Sequence, residues 1–227
     1  MYRYVMMGVI CLLAGSVPAQ AASDTPPPAL APTAAKPVVS MEEPLPGDFW
    51  TYEVRDEISG TVKAVRNDMV TEVTATEISV RFNIQGKSDE GLNVYDRSWN
   101  LKSTGPWKYQ PHDGSGIQSP LKAGANWKSE GDDVNASNGN IWKRTGRTKV
   151  VGQETVTTKA GTFETFKIET KVLRRPTNDP TRKMEITLQI WYAPSIDHWV
   201  KRTFVSRGNG NLLANNTVEL IEYGRKK

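Results

Sequence analysis

Apolar and polar residues alternate with a period of two through most of the chain beyond residue 47. Met184, Ile186, Leu188, Ile190 and Tyr192 fall on one face of a segment whose other face carries Glu185, Thr187 and Gln189. Phe166, Ile168, Thr170 and Val172 oppose Thr165, Lys167, Glu169 and Lys171 in the same way. Such alternation marks half-buried strands. Trp50, Tyr52 and Val54, then Ile78, Val80, Phe82 and Ile84, then Tyr95, Trp99 and Leu101 repeat the pattern upstream. Strand signals recur about every ten residues, and no segment holds a 3.6-residue apolar stripe with caps. The pattern predicts an all-β domain of about ten antiparallel strands, in a curved open sheet or a barrel-like meander with little helix.

Turn chemistry punctuates this pattern. Lys159-Ala160-Gly161 separates two β-prone runs, and glycine supplies the positive φ a tight hairpin needs. Ala193-Pro194-Ser195 ends the next strand, since proline cannot donate to a ladder. Gly208-Asn209-Gly210-Asn211 turns the chain once more before the last strand, Leu212 to Tyr223.

The ordered set Val156, Thr158, Ala160 to Phe163, Phe166 to Glu169 and Trp191 to Pro194 resembles bacterial exported all-β proteins of unknown function. These carry an AGTF-x-x-[FY]-K-[IV]-E hairpin followed by W-[YF]-A-P. The resemblance covers residues 149–202 and extends distantly to lipoprotein-carrier and lipocalin-like folds. It implies a secreted β domain and brings no catalytic residues with it.

The N-terminal segment reads differently. Arg3 precedes an apolar run from Val5 to Val17, and Ala19-Gln20-Ala21 fits small-x-small cleavage, so residues 1–21 are expected to be a secretory signal peptide. The run is short for a bilayer span, which needs about 20 residues. Cys11 lies within the apolar run, in a context unlike a lipoprotein acylation site. It is the one cysteine of the chain, so the mature protein has none, which favours a bacterial periplasm or exterior over a disulfide-stapled animal secretion. Residues 22–46, with seven prolines from Pro26 to Pro46, read as a disordered or semi-extended tether. A single β domain is expected over 47–227.

Two stretches echo one another: Pro44-Leu45-Pro46-Gly47 with Trp50, and Pro120-Leu121 through Gly124 with Trp127. Either two related β halves or a chance likeness of strand-opening turns accounts for the echo. Residues 104–125 and 131–139 are rich in proline, glycine and asparagine and read as loops; the first is long enough to cover a sheet opening.

Charge and candidate chemistry narrow the function classes. The net charge of +4 falls to +3 without Arg3. The cations, among them Arg144, Arg174 and Arg202, are spread over many strands, where a nucleic-acid binder concentrates them. They read as solvated strand faces, and no nucleic-acid partner is expected. His112-Asp113 and Asp197-His198 put neighbouring side chains on opposite faces of an extended chain. No metal site, cofactor or catalytic set is expected from two histidines and no mature cysteine.

The reading that remains is a non-catalytic envelope binding protein, periplasmic or secreted, for a lipid or other apolar ligand. Its candidate ligand-binding residues are Phe166, Ile168, Ile190, Trp191, Tyr192 and Trp199. Trp191 and Phe163 fall on the minority face of their strands, so the second sheet face is not expected to be simply solvated. The alternative reading follows: a structural or assembly factor that contacts an envelope protein or glycan through an aromatic sheet face.

Overall fold

The computed structural model describes residues 41–225. The expected signal peptide and residues 22–40 of the expected tether lie outside the described residues. The last tether residues, 41–46, pack on the barrel. Met41 is buried and its N–H donates to the Ser195 carbonyl at 2.8 Å.

The described residues form twelve antiparallel strands in chain order: β1 (Asp48–Asp56), β2 (Thr61–Val73), β3 (Glu77–Ile84), β4 (Glu90–Asp96), β5 (Leu101–Thr104), β6 (Trp107–Gln110), β7 (Asn126–Asn135), β8 (Ile141–Thr158), β9 (Gly161–Pro176), β10 (Met184–Ala193), β11 (His198–Gly208) and β12 (Asn211–Arg225). Each strand pairs with its neighbour in sequence, and β1 pairs with β12, so the sheet closes into an up-and-down barrel. Closure leaves no unpaired edge. The strands beyond the expected ten include the four-residue β5 and β6. The second of these lies inside the stretch read as loop, since four residues are too few to show a periodicity. A 3₁₀ turn, Pro194–Ile196, joins β10 to β11.

The alternation sorts side chains cleanly between inside and outside. Along β8, Lys143, Thr145, Arg147 and Lys149 are exposed while Arg144, Thr148 and Val150 are buried. The outward positions of β8 from Lys143 to Lys149 are thus polar or charged. No described helix is long and apolar enough to cross a membrane.

The echoed stretches adopt one geometry. Gly47 and Gly124 both take positive φ, at 93° and 84°. The Gly47 N–H donates to Val70 of β2 and the Gly124 N–H to Val150 of β8, each at 2.9 Å. Trp50 and Trp127 then lie opposite Asp68 and Thr148 in equal register. A bulge follows each buried valine, between Val70 and Glu72 and between Val150 and Gly152. The two six-stranded halves, β1–β6 and β7–β12, therefore open in the same way.

The β8–β9 hairpin is longer than its neighbours, and its tip, residues 152–166, reaches over to β1 and β12. Lys159 Nζ reaches Glu53 of β1 at 2.6 Å, and Phe163 meets Tyr223 of β12 edge-on at 5.7 Å. Phe163 is buried there. The aromatic second face anticipated from Phe163 and Trp191 is thus covered by the chain's own hairpin.

Candidate functional site

One end of the barrel, beside the 3₁₀ turn, is plugged by aromatic rings. The even positions of β1 point inward, which sends Trp50 and Tyr52 to meet His198 and Trp199 at the start of β11. Trp50 stacks on His198 with centroids 4.0 Å apart, and Trp99 stands edge-on to both, 5.8 Å from Trp50 and 4.6 Å from His198. Trp99 reaches this position from a left-handed backbone, φ 61°. The Tyr52 hydroxyl lies 2.6 Å from His198 Nδ1 and donates to the Trp199 carbonyl at 3.1 Å. These contacts agree with a neutral imidazole carrying its proton on Nδ1 and donating to Tyr52. Burial, and after it the nearby Arg202, hold the His198 pKa well below the ordinary histidine value.

Beneath the plug lies a cavity of about 300 Å³. Leu101, Leu188, Ile190, Phe204, Trp99 and Trp199 give it apolar walls; Asp113, Asp133, Arg144, Arg174 and Arg202 bring charge to it. A second lobe of about 220 Å³ is lined by Tyr52, Arg66, Asp68 and Asn93. Both lobes share Tyr95, Leu101, Trp199 and Arg202.

Most of these charges are matched. Asp133 bridges two arginines, with Oδ1 2.9 Å from Arg144 Nε and Oδ2 2.5 Å from Arg174 Nε. The Arg174 guanidinium lies over Trp107 and Trp142, 5.4 Å from each ring, and Arg144 Nη2 donates to the His112 carbonyl. Arg66 Nε meets Asp68 at 2.5 Å, and its guanidinium lies over Phe82 at 4.0 Å. Asp113 accepts from the Leu101 N–H, the Ser115 N–H and the Ser115 hydroxyl. Burial raises the pKa of Asp68, Asp113 and Asp133, while Arg66, the Ser115 bonds and Arg174 respectively pull it back. Arg202 differs from the other three arginines. Its Nε, like Arg174 Nε and Arg144 Nη1, is buried with no hydrogen-bond partner among the described residues. What sets it apart is the lack of a carboxylate partner: it forms no ion pair among the described residues and rests over the Trp199 ring at 5.3 Å.

The residues singled out in the sequence divide among three places. Ile190 and Trp199 line the larger lobe. Ile168 is fully buried with Ile117 and Val150, and Phe166 and Tyr192 pack partly buried against that cluster under the loop that precedes β7. The Tyr192 hydroxyl donates to Asp197 at 2.5 Å. Trp191 faces outward, its indole N–H donating to Glu154 of the hairpin and its ring lying under Lys167 and Lys201 at 4.7 and 5.6 Å.

Arg144, Arg174 and Arg202, read in the sequence as solvated, are turned into the barrel. The signal was present in the alternation: Arg174 continues the face of Phe166, Ile168, Thr170 and Val172, and Arg202 shares a face with Phe204. A cation on an apolar face marks an inward charge.

A family model described as DUF3108-like matches residues 114–212. No curated protein matches the sequence. Among solved structures, the chain is similar to a Parabacteroides distasonis protein described as a candidate lipoprotein, at 14% identity over 82% of this chain and 99% of that one, with a TM-score of 0.54. It is also similar to a Bacteroides fragilis protein described as a candidate exported protein with a YmcC-like fold, at 15% identity over 82% and 100%, TM-score 0.51. The hypothetical lipoprotein YmcC of Escherichia coli aligns at 10% identity over 80% of this chain and 87% of that one, TM-score 0.48. At these identities the first two likenesses are of fold.

Proposed function

We propose that this chain is a non-catalytic binding protein of the bacterial envelope that takes an apolar ligand into its barrel. The observation that carries the reading is the interior cavity of about 300 Å³ walled by Leu101, Leu188, Ile190, Phe204, Trp99 and Trp199. A barrel with no ligand to hold fills such space with side chains, because dense packing stabilises a core and voids cost stability. The volume lies at the lower end of the roughly 300–1,000 Å³ typical of small-molecule sites. The signal peptide expected from residues 1–21 and structural relatives described as exported or lipoprotein-like support an envelope location. Catalysis is a weaker account of the interior: the buried carboxylates are engaged by arginines or by Ser115 and the Leu101 N–H, and His198 is enclosed by three tryptophans and Tyr52.

The test is native mass spectrometry of the exported protein, followed by solvent extraction. A discrete added mass that extracts as an apolar small molecule supports the reading. A clean apo protein, with no added mass after incubation with envelope lipid extract, overturns it.

A further inference from the structure

Four arginines reach the barrel interior, and three are matched. Arg144 and Arg174 share Asp133, and Arg66 has Asp68. Arg202 has no ion pair among the described residues: it rests over Trp199, and the charge of Asp68, already paired with Arg66, acts on it only through space. A guanidinium whose Nε is held out of water without a partner is costly, and the ordinary resolution is a partner of opposite charge. The fold sets Arg202 where such a partner would enter, at the junction of the two lobes, which it lines together with Tyr95, Leu101 and Trp199.

Tyr95 completes the junction. Its hydroxyl oxygen accepts from Asn93 Nδ2 at 3.0 Å, which leaves the hydroxyl hydrogen free to donate. Burial pushes its pKa up to about 12, so that hydrogen is retained at neutral pH. One planar cation and one hydroxyl donor thus border a space that Leu188, Ile190 and Phe204 also line, Ile190 being the cross-strand partner of Arg202.

Resting on the reading that the barrel cavity is the ligand site, we infer that the ligand is an amphiphile with a single carboxylate head, bound by the Arg202 guanidinium and the Tyr95 hydroxyl, its apolar chain running among Leu188, Ile190 and Phe204. A guanidinium matches a carboxylate geometrically, through two parallel N–H donors. The carboxylates already lining the lobes, Asp68 and Asp113, disfavour a second negative charge on the ligand.

The test uses the exported protein stripped of bound lipid and three probes of one chain length: decanoate, decanol and decyl phosphate. Binding is read by isothermal titration calorimetry. The wild type is expected to bind decanoate about ten- to a hundredfold more tightly than decanol, the range that hydrogen bonds to a charged group support. Arg202→Met should abolish that preference while keeping decanol binding, which also shows that the variant is folded. Tyr95→Phe should reduce decanoate affinity and spare decanol, and it serves as the second probe should Arg202→Met fail to fold. Equal binding of decanoate and decanol by the wild type overturns the carboxylate inference and leaves the cavity reading standing. Preference for decyl phosphate overturns the single-charge assignment. Binding of none of the three overturns the cavity reading and the inference with it.

Discussion

The Tyr52 hydroxyl lies 2.6 Å from Nδ1 of His198, which ties the first strand to the eleventh across the plugged end of the barrel. The two residues are 146 positions apart, and β12 stands between their strands in the sheet. Tyr52→Phe removes the hydroxyl and leaves the imidazole N–H buried without its acceptor. The expected loss is about 1–3 kcal/mol, the usual cost of an unsatisfied buried polar group. Urea unfolding followed by circular dichroism measures it, and an unchanged midpoint would contradict the inferred N–H to hydroxyl bond.

The same histidine gives the barrel an acid limit. Burial and Arg202 keep His198 deprotonated in the fold, whereas the unfolded chain takes up that proton near pH 6.5. Below this pH the unfolded state binds more protons than the native state, so stability is full above about pH 6.5 and declines as pH falls, at up to about 1.4 kcal/mol per pH unit. Tyr52, Arg66 and Arg202 surround the imidazole. The buried Asp68, Asp113 and Asp133 act in the opposite sense, because raised carboxyl values contribute stability at low pH that is lost on going up. His198→Phe keeps those carboxyls and removes only the histidine. The expected result is a flatter stability profile than wild type between about pH 5 and 6.5; parallel profiles would exclude a buried neutral histidine.

Asp133 is the most exacting charge in the barrel, since one carboxylate neutralises Arg144 and Arg174 together. Asp133→Asn leaves two inward guanidiniums facing each other without a counter-charge. Removal of one member of a buried ionic group costs about 3–5 kcal/mol. The contrast is Asp132, one residue earlier and on the outer face, which pairs with the exposed Lys143 at 2.8 Å. Asp132→Asn should change stability by less than about 1 kcal/mol, as surface pairs do. Equal effects at the two positions would contradict the inside-outside assignment of β7.

The strand register was legible in the sequence wherever alternation ran for five residues or more, as in Met184 to Tyr192. It was lost where the strand was too short, as in Trp107–Gln110, or where a bulge changed the parity, as at Val200 of β11, which falls between the partners of Trp191 and Tyr192. Ile190 and Trp199 could be picked out as wall residues because apolar side chains on a sheet face are the ordinary sign of burial. Arg202 was legible only through its parity with Phe204, a signal that the basic pair Lys201-Arg202 masks. The hairpin that covers Trp191 was invisible, since nothing local to residues 152–166 states which strands its tip will reach.

That hairpin rests on packing far more than on its ion pair. Lys159 Nζ lies 2.6 Å from Glu53, and this hydrogen bond holds the glutamate pKa below its ordinary value. The lysine side chain is 67% exposed, however, and solvent screens the pair. Phe163 is 2% exposed and packed edge-on against Tyr223. Lys159→Ala should therefore cost less than about 1 kcal/mol. Phe163→Ala should cost about 3–5 kcal/mol, as large-to-small changes in a core do. The two substitutions also differ in where they act. Losing the aromatic anchor frees the tip of β8–β9 from β12 without touching the ring of paired strands, and an unanchored hairpin tip is a preferred site of proteolytic nicking. Limited proteolysis should then cut Phe163→Ala within residues 152–166 while wild type and Lys159→Ala stay whole under the same conditions. Cleavage of Lys159→Ala at the rate of Phe163→Ala would mean that the ion pair, and not the buried ring, holds the hairpin down.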